Sequence, residues 1–186
     1  AGGRLRLPAR ADSTLVYGTL ERLELDRWTA LLERAGGSAE ALQATSFELS
    51  IGTLDAFGRR MQDIAVRARV RAGGWRASLS SAEIAGDVDY EAAGGAKLVA
   101  RMARFSVPPE SPGAQAARAT GELPALDLVA DDFGWRGRRF GRVEILARRE
   151  AAQWLLDRVA MVNPEGSLVG KGACRTAPTP STSISF

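Results

Sequence analysis

The sequence predicts an all-β chain, mainly antiparallel, with one short helix, built as an elongated sheet of repeated meanders. Three observations predict it. The first is an internal repeat at an offset of about 79 residues, which places Arg59-Arg60 on Arg138-Arg139 and Trp75 on Trp154. Leu49, Ile64, Val66 and Ala68 then fall on Leu128, Val143, Ile145 and Ala147, and after a one-residue insertion Val88 falls on Leu168. Stacked repeats bury a face that one copy alone leaves open. The second is period-two alternation of apolar and polar residues inside each copy, the mark of a half-buried strand. The third is the spacing of the turn signals: consecutive strands joined by short turns pair antiparallel, because a parallel pair needs a long crossover.

Residues 1–44 read as short strands followed by a helix. Arg4 to Leu7, Leu15 to Gly18 and Leu20 to Leu25 alternate. Asp26 suits a helix N-cap, since its carboxylate accepts free first-turn N–H groups. Trp28, Leu31 and Leu32 then share one helical face, and Gly36-Gly37 ends the helix, predicted over 27–35. The first meander copy spans 45–107. In it Phe47, Leu49 and Ile51 alternate with Glu48, Ser50 and Gly52, and a turn follows around 56–60. Ile64, Val66, Ala68 and Val70 then alternate with Asp63, Ala65, Arg67, Arg69 and Arg71. Trp75, Ala77 and Leu79 continue on a return strand after Gly73-Gly74. Residues around Ile84 to Tyr90 and from Lys97 to Val107 complete the copy. Residues 108–122 are a Pro/Gly loop by composition. The second copy spans 123–186, with Leu126, Leu128, Val143, Ile145, Trp154 and Leu156 in the equivalent apolar phase. Asn163-Pro164-Glu165-Gly166 fits a type I turn. The run Ser181 to Phe186 reads as a strand cut short, so a piece of a longer protein is expected.

Composition narrows the function classes. The chain has 186 residues, 45% apolar and 25% charged, with a net charge of +3. No run of 18 apolar residues occurs, so no membrane-spanning helix is expected within these residues. Lys occurs only at 97 and 171, so the basic character is arginine. These bases are interspersed with acids and alternate with apolar residues, which reads as solvated faces rather than a nucleic-acid footprint. Histidine is absent and Cys174 is alone, which excludes an internal disulfide and leaves a cysteine nucleophile without an imidazole base. There is no Gly-rich phosphate loop and no nucleophile elbow. Asp131-Asp132 and Asp87/Asp89 lack the spacing of a calcium loop. No catalytic residue, no metal site and no cofactor is therefore expected.

Several segments carry a resemblance. Leu20-Glu21-Arg22-Leu23-Glu24-Leu25-Asp26-Arg27-Trp28 resembles a strand-into-helix segment of the AsmA-like superfamily. Leu123-Pro124-Ala125-Leu126-Asp127-Leu128 and Phe140-Gly141-Arg142-Val143-Glu144 resemble its strand pairs. Asn163-Pro164-Glu165-Gly166-Ser167-Leu168 is similar to a turn of the YhdP branch. The likeness covers roughly 15–35 and 45–186. It implies a large periplasmic protein of Gram-negative bacteria, anchored in the inner membrane through parts outside this chain. Its curved, taco-like β-groove with an apolar lining would carry phospholipid, or another acyl lipid, between inner and outer membranes and support the outer-membrane permeability barrier. Envelope protein partners are conceivable under it, and nucleic acid is not. The family supplies no catalytic residues.

Read onto this chain, the lining falls on Phe47, Leu49, Ile51, Ile64, Val66, Val70, Trp75 and Leu79 in the first copy. In the second it falls on Leu126, Leu128, Val143, Ile145, Trp154 and Leu156. Small residues at Ala68, Ala77, Ala130 and Ala147 would keep such a channel open. Arg59, Arg60, Arg138 and Arg139 would meet headgroup phosphates at the rim, or serve only as charged turns that block edge pairing. Two alternatives stand beside this reading. The same alternation builds a closed β-sandwich whose apolar faces meet each other, and open sheet edges suit a protein-interaction scaffold without lipid cargo.

Overall fold

A computed structural model describes residues 14–25, 45–56, 58–109, 124–150, 153–175 and 181–185. The helix expected over 27–35 and most of the 108–122 loop lie outside them. The described residues form one open sheet of eleven strands whose spatial order follows the chain. In order they are β1 (Thr14–Glu24), β2 (Thr45–Ala56), β3 (Arg59–Arg71), β4 (Gly74–Ser80), β5 (Ile84–Glu91) and β6 (Lys97–Val107). The remaining strands are β7 (Ala125–Trp135), β8 (Arg138–Glu150), β9 (Gln153–Asn163), β10 (Gly166–Arg175) and β11 (Ser181–Ser185). Among the described residues only strands adjacent in this order make extensive contacts, so no second sheet of them covers either face and they do not form the closed sandwich.

Eight of the ten pairings are antiparallel, made by short turns. The turn at Asn163 forms as its sequence dictates: the Asn163 carboxamide oxygen accepts the N–H groups of Glu165 and Gly166, both at 2.9 Å. Ser81 does the same between β4 and β5, its hydroxyl accepting from Glu83 and Ile84 at 3.1 and 3.0 Å. The two basic pairs occupy the first positions of β3 and β8 rather than the turns before them.

Two pairings are parallel, β1 with β2 and β6 with β7. Residues 25–44 and 108–124 join them, long enough for the crossover that parallel strands require. An arginine spans each parallel joint. Arg22 reaches Asp55 at 2.6 Å across β1 and β2, and Arg101 reaches Asp127 at 2.8 Å across β6 and β7. Arg101 also donates to the carbonyls of Asp127 and Ala100. The best-buried apolar cluster, Ala100, Met102, Leu128 and Ala130, sits on the second joint, with Ile84, Val88, Phe105 and Phe133 packed around it.

The sheet is curved. Strands β4 and β5 are short, with 7 and 8 residues beside 13 in β3 and 11 in β6. Beyond their common turn, the Arg59 guanidinium at the start of β3 donates to the Pro108 carbonyl just past β6. Three strand spacings of a flat sheet would separate β3 from β6 by about 14 Å, more than one arginine spans. The strands therefore converge there.

The alternation also changes phase inside the strands. In β3 the less exposed positions are Arg59 and Met61, then Ile64, Val66, Ala68 and Val70. The break coincides with Asp63, at φ 50°. In β8 the break falls between Phe140 and Val143, at Gly141 with φ 80°. An irregular residue of this kind kinks a strand and re-aims the side chains beyond it.

A continuous apolar face

Residues directly paired across a ladder point to the same face, so the register identifies what each face presents. One row runs Leu49, Val66, Leu79, Gly86, Met102, Ala130, Val143, Met161, Leu168. A second, beside it, runs Phe47, Ala68, Ala77, Val88, Ala100, Leu128, Ile145, Val159. A third runs Val70, Trp75, Tyr90, Leu98, Leu126, Ala147, Leu156. Ile51 pairs with Ile64 and Leu20 above the first row. These rows cross nine, eight and seven strands without one charged residue.

All fourteen residues assigned to a lining by sequence fall on this one face. Trp154 lies two positions from Leu156, hence on the same side, and its indole N–H donates to the Pro124 carbonyl at 3.0 Å. Trp75 stacks on Tyr90 with ring centroids 5.8 Å apart. Ten of the fourteen, among them Phe47, Val66, Trp75 and Ile145, remain partly open, while Ile51, Ile64, Leu128 and Val143 are buried. Of the small positions, Ala77, Ala130 and Ala147 are buried and Ala68 is half-buried. Ala130 is 0% and Ala147 2% exposed, so Ala130, packed within the Met102–Leu128 cluster, forms floor beneath larger neighbours rather than open channel.

The opposite face is polar. Arg67, Ser78, Asp87 and Arg101 pair in sequence across β3 to β6. Ion pairs lace it: Arg71 and Arg76 share Asp89, and Arg148 holds Asp157 at 3.0 Å. Exposed pairs of this kind add little to stability, so they keep this face in water more than they hold the fold together. The Arg60 guanidinium beside Asp55 holds that carboxyl below the usual carboxylate range, and Arg101 does the same to Asp127.

The four arginines assigned to headgroups are mostly engaged already. Arg60 binds Asp55 at 2.8 Å, Arg139 grips Asp132 through two bonds of 3.0 and 2.9 Å, and Arg59 holds Pro108. Arg138 has no partner among the described residues. The aspartates weighed as calcium ligands are likewise occupied: Asp132 by Arg139, Asp131 by Arg142, Asp89 by Arg71 and Arg76, and Asp87 by the Ser78 hydroxyl. Among the described residues no cluster of three potential metal ligands occurs, and no helix is long and apolar enough to cross a membrane.

Sequence reasoning missed one part of the apolar face. Phe105, Phe133 and Phe140 form a chain of rings 5.9 and 6.1 Å apart, extending the apolar surface beyond Met102 and Ala130. Strict alternation from Leu98 or Leu126 places Phe105 and Phe133 on the polar side. The breaks in pairing between Ala85 and Gly86 and between Ala130 and Phe133 bring them back. Glycines inside strands, Gly86 and Gly141, were the available signal.

No curated protein and no solved structure shows significant similarity to the chain. The sequence profile of the family described as YhdP protein matches residues 3–185, nearly the whole length. With that match and an open sheet carrying one unbroken apolar face, the chain belongs to the YhdP family.

Proposed function

We propose that this chain is a non-catalytic, periplasmic segment of a bridge-like protein. In this reading it carries phospholipid along its apolar face between the inner and outer membranes and thereby supports the outer-membrane permeability barrier. The observation that carries the reading is the set of apolar rows, which run uncharged across the sheet and are left partly open. Each methylene moved from water onto such a surface gains about 0.8 kcal/mol. A row crossing many strands offers similar sites in succession, so an acyl chain can advance without a deep trap. Passage then needs no chemistry, only a gradient or a partner at the ends. The polar face, with its ion pairs, stays in water while the other side shelters the chain. Membership of the YhdP family accords with lipid transport of the AsmA-like kind.

The test is the cargo. Protein purified from cells without detergent and extracted into organic solvent should yield phospholipid by mass spectrometry, near stoichiometric with protein. A folded, lipid-free preparation that also fails to take up lipid from vesicles would overturn the reading and leave a scaffold role in its place.

A further inference from the structure

On the face opposite the apolar rows, a shallow cavity of about 450 Å³ lies over strands β2 to β4. Four guanidinium groups line it, from Arg67, Arg69, Arg71 and Arg76, against one carboxylate, Glu48. The register explains why they gather. Arg67, Arg69 and Arg71 alternate along β3 on one side, and Arg69 pairs directly with Arg76 on β4. Like charges placed opposite each other across a ladder are destabilising, so this arrangement needs a compensating anion. The protein supplies only part of one. Arg71 and Arg76 both hold Asp89, at 2.6 and 2.7 Å. Arg67 and Arg69 have no ion-pair or hydrogen-bond partner among the described residues, although Glu48 stands in register opposite Arg67. Elsewhere on this face arginines are matched: Arg101 with Asp127, Arg142 with Asp131 and Arg148 with Asp157.

We propose that the Arg67–Arg69–Arg76 cluster is a binding site for a phosphate group. The geometry suits a dianion of that size. Arg67 and Arg69 lie about 7 Å apart along the strand, two residues at roughly 3.4 Å each, and Arg76 faces Arg69 across the ladder. The two unpartnered forks of Arg67 and Arg69 can therefore converge on the oxygens of one tetrahedral anion, the geometry in which arginine exceeds lysine, while Arg76, held by Asp89, adds positive charge from across the ladder. The Ser46 hydroxyl borders the same cavity, while that of Ser78 is committed to Asp87 at 2.5 Å. The site stands on the polar face, so it is independent of whether the apolar face carries lipid.

The experiment is a titration of the full chain with sodium phosphate at constant ionic strength, following arginine Nε–Hε resonances by NMR. Saturable shifts confined to Arg67, Arg69, Arg71 and Arg76 are expected. The double variant R67Q/R69Q, folded by circular dichroism, should bind at least tenfold more weakly, and R101Q should titrate like the parent. Flotation with phosphatidylcholine vesicles containing phosphatidic acid separates the sources. Flotation that depends on Arg67 and Arg69 places the phosphate on a lipid headgroup, and phosphate binding without flotation makes it soluble. Shifts spread evenly over all arginines, identical shifts with sodium chloride, or an unaffected double variant would overturn the site. Binding of hexaglutamate with no response to phosphate would overturn it in favour of an acidic protein partner.

Discussion

Replacing Ile145 by aspartate puts a carboxylate in the middle of the apolar face, between Leu128 on β7 and Val159 on β9. The next residue, Leu146, is 44% exposed on the polar face. The pair I145D and L146D thus places the same charge on the same strand, one position apart and on opposite sides. An acyl chain crossing β8 must leave a charged Ile145 position hydrated. Losing about three methylene contacts at about 0.8 kcal/mol each amounts to about 2.4 kcal/mol, or roughly fifty-fold in affinity. L146D should change lipid affinity less than twofold. The assay is displacement of a fluorescent fatty acid from purified protein, with circular dichroism confirming that both variants fold. Equal losses in the two variants, or full binding by a folded I145D, would refute the assignment of this face.

Three further predictions concern the scaffold. Asp55 and Asp127 have folded-state pKa values below the ordinary one, so their contribution to stability is complete above about pH 4 and is lost as pH falls through the depressed values. Urea unfolding at stepped pH should show D127N removing part of the acid-side loss, and an unchanged profile would contradict the Arg101–Asp127 joint. G141A should destabilise more than G73A. Both sites have positive φ, at 80° and 77°, but a Cβ at Gly141 would lie 2.5 Å from the Val162 carbonyl oxygen, whereas Gly73 faces open space. Urea unfolding should therefore place G73A about 1–2 kcal/mol below the parent, the cost of a Cβ in the left-handed region, and G141A lower still. W154F should cost about 1 kcal/mol in the same measurement through loss of the bond to Pro124, while W75F, whose ring stacks on Tyr90, should cost less.

Much of the sheet was legible because alternation and turn chemistry are local. The strand phases of β2, β3, β7 and β8 follow from Phe47 to Ile51, Ile64 to Val70, Leu126 to Ala130 and Val143 to Ala147. The Asn163 turn follows from one carboxamide. Strand direction is not encoded this way: alternation looks the same in parallel and antiparallel pairs, so the joints at β1/β2 and β6/β7 could be suspected only from the long segments before β2 and β7. Irregular strand positions were harder still. Gly86 and Gly141 stand out as strand glycines, but nothing marks Asp63 as a left-handed residue. The phenylalanine chain built on Phe105, Phe133 and Phe140 was invisible to period-two counting for that reason. The engagement of Arg60 and Arg139 by Asp55 and Asp132 also depends on partners five and seven residues away, brought close by the hairpins.

The contrast between the two faces is most directly measured with a fatty acid carrying a nitroxide on its chain, added to protein with labelled methyl groups. Paramagnetic relaxation, which falls with the inverse sixth power of distance, should be stronger at Val66, Leu79, Leu128 and Ile145 than at Leu146 and Val169. Broadening of both sets alike, or of neither in a protein that still binds the fatty acid, would contradict the account.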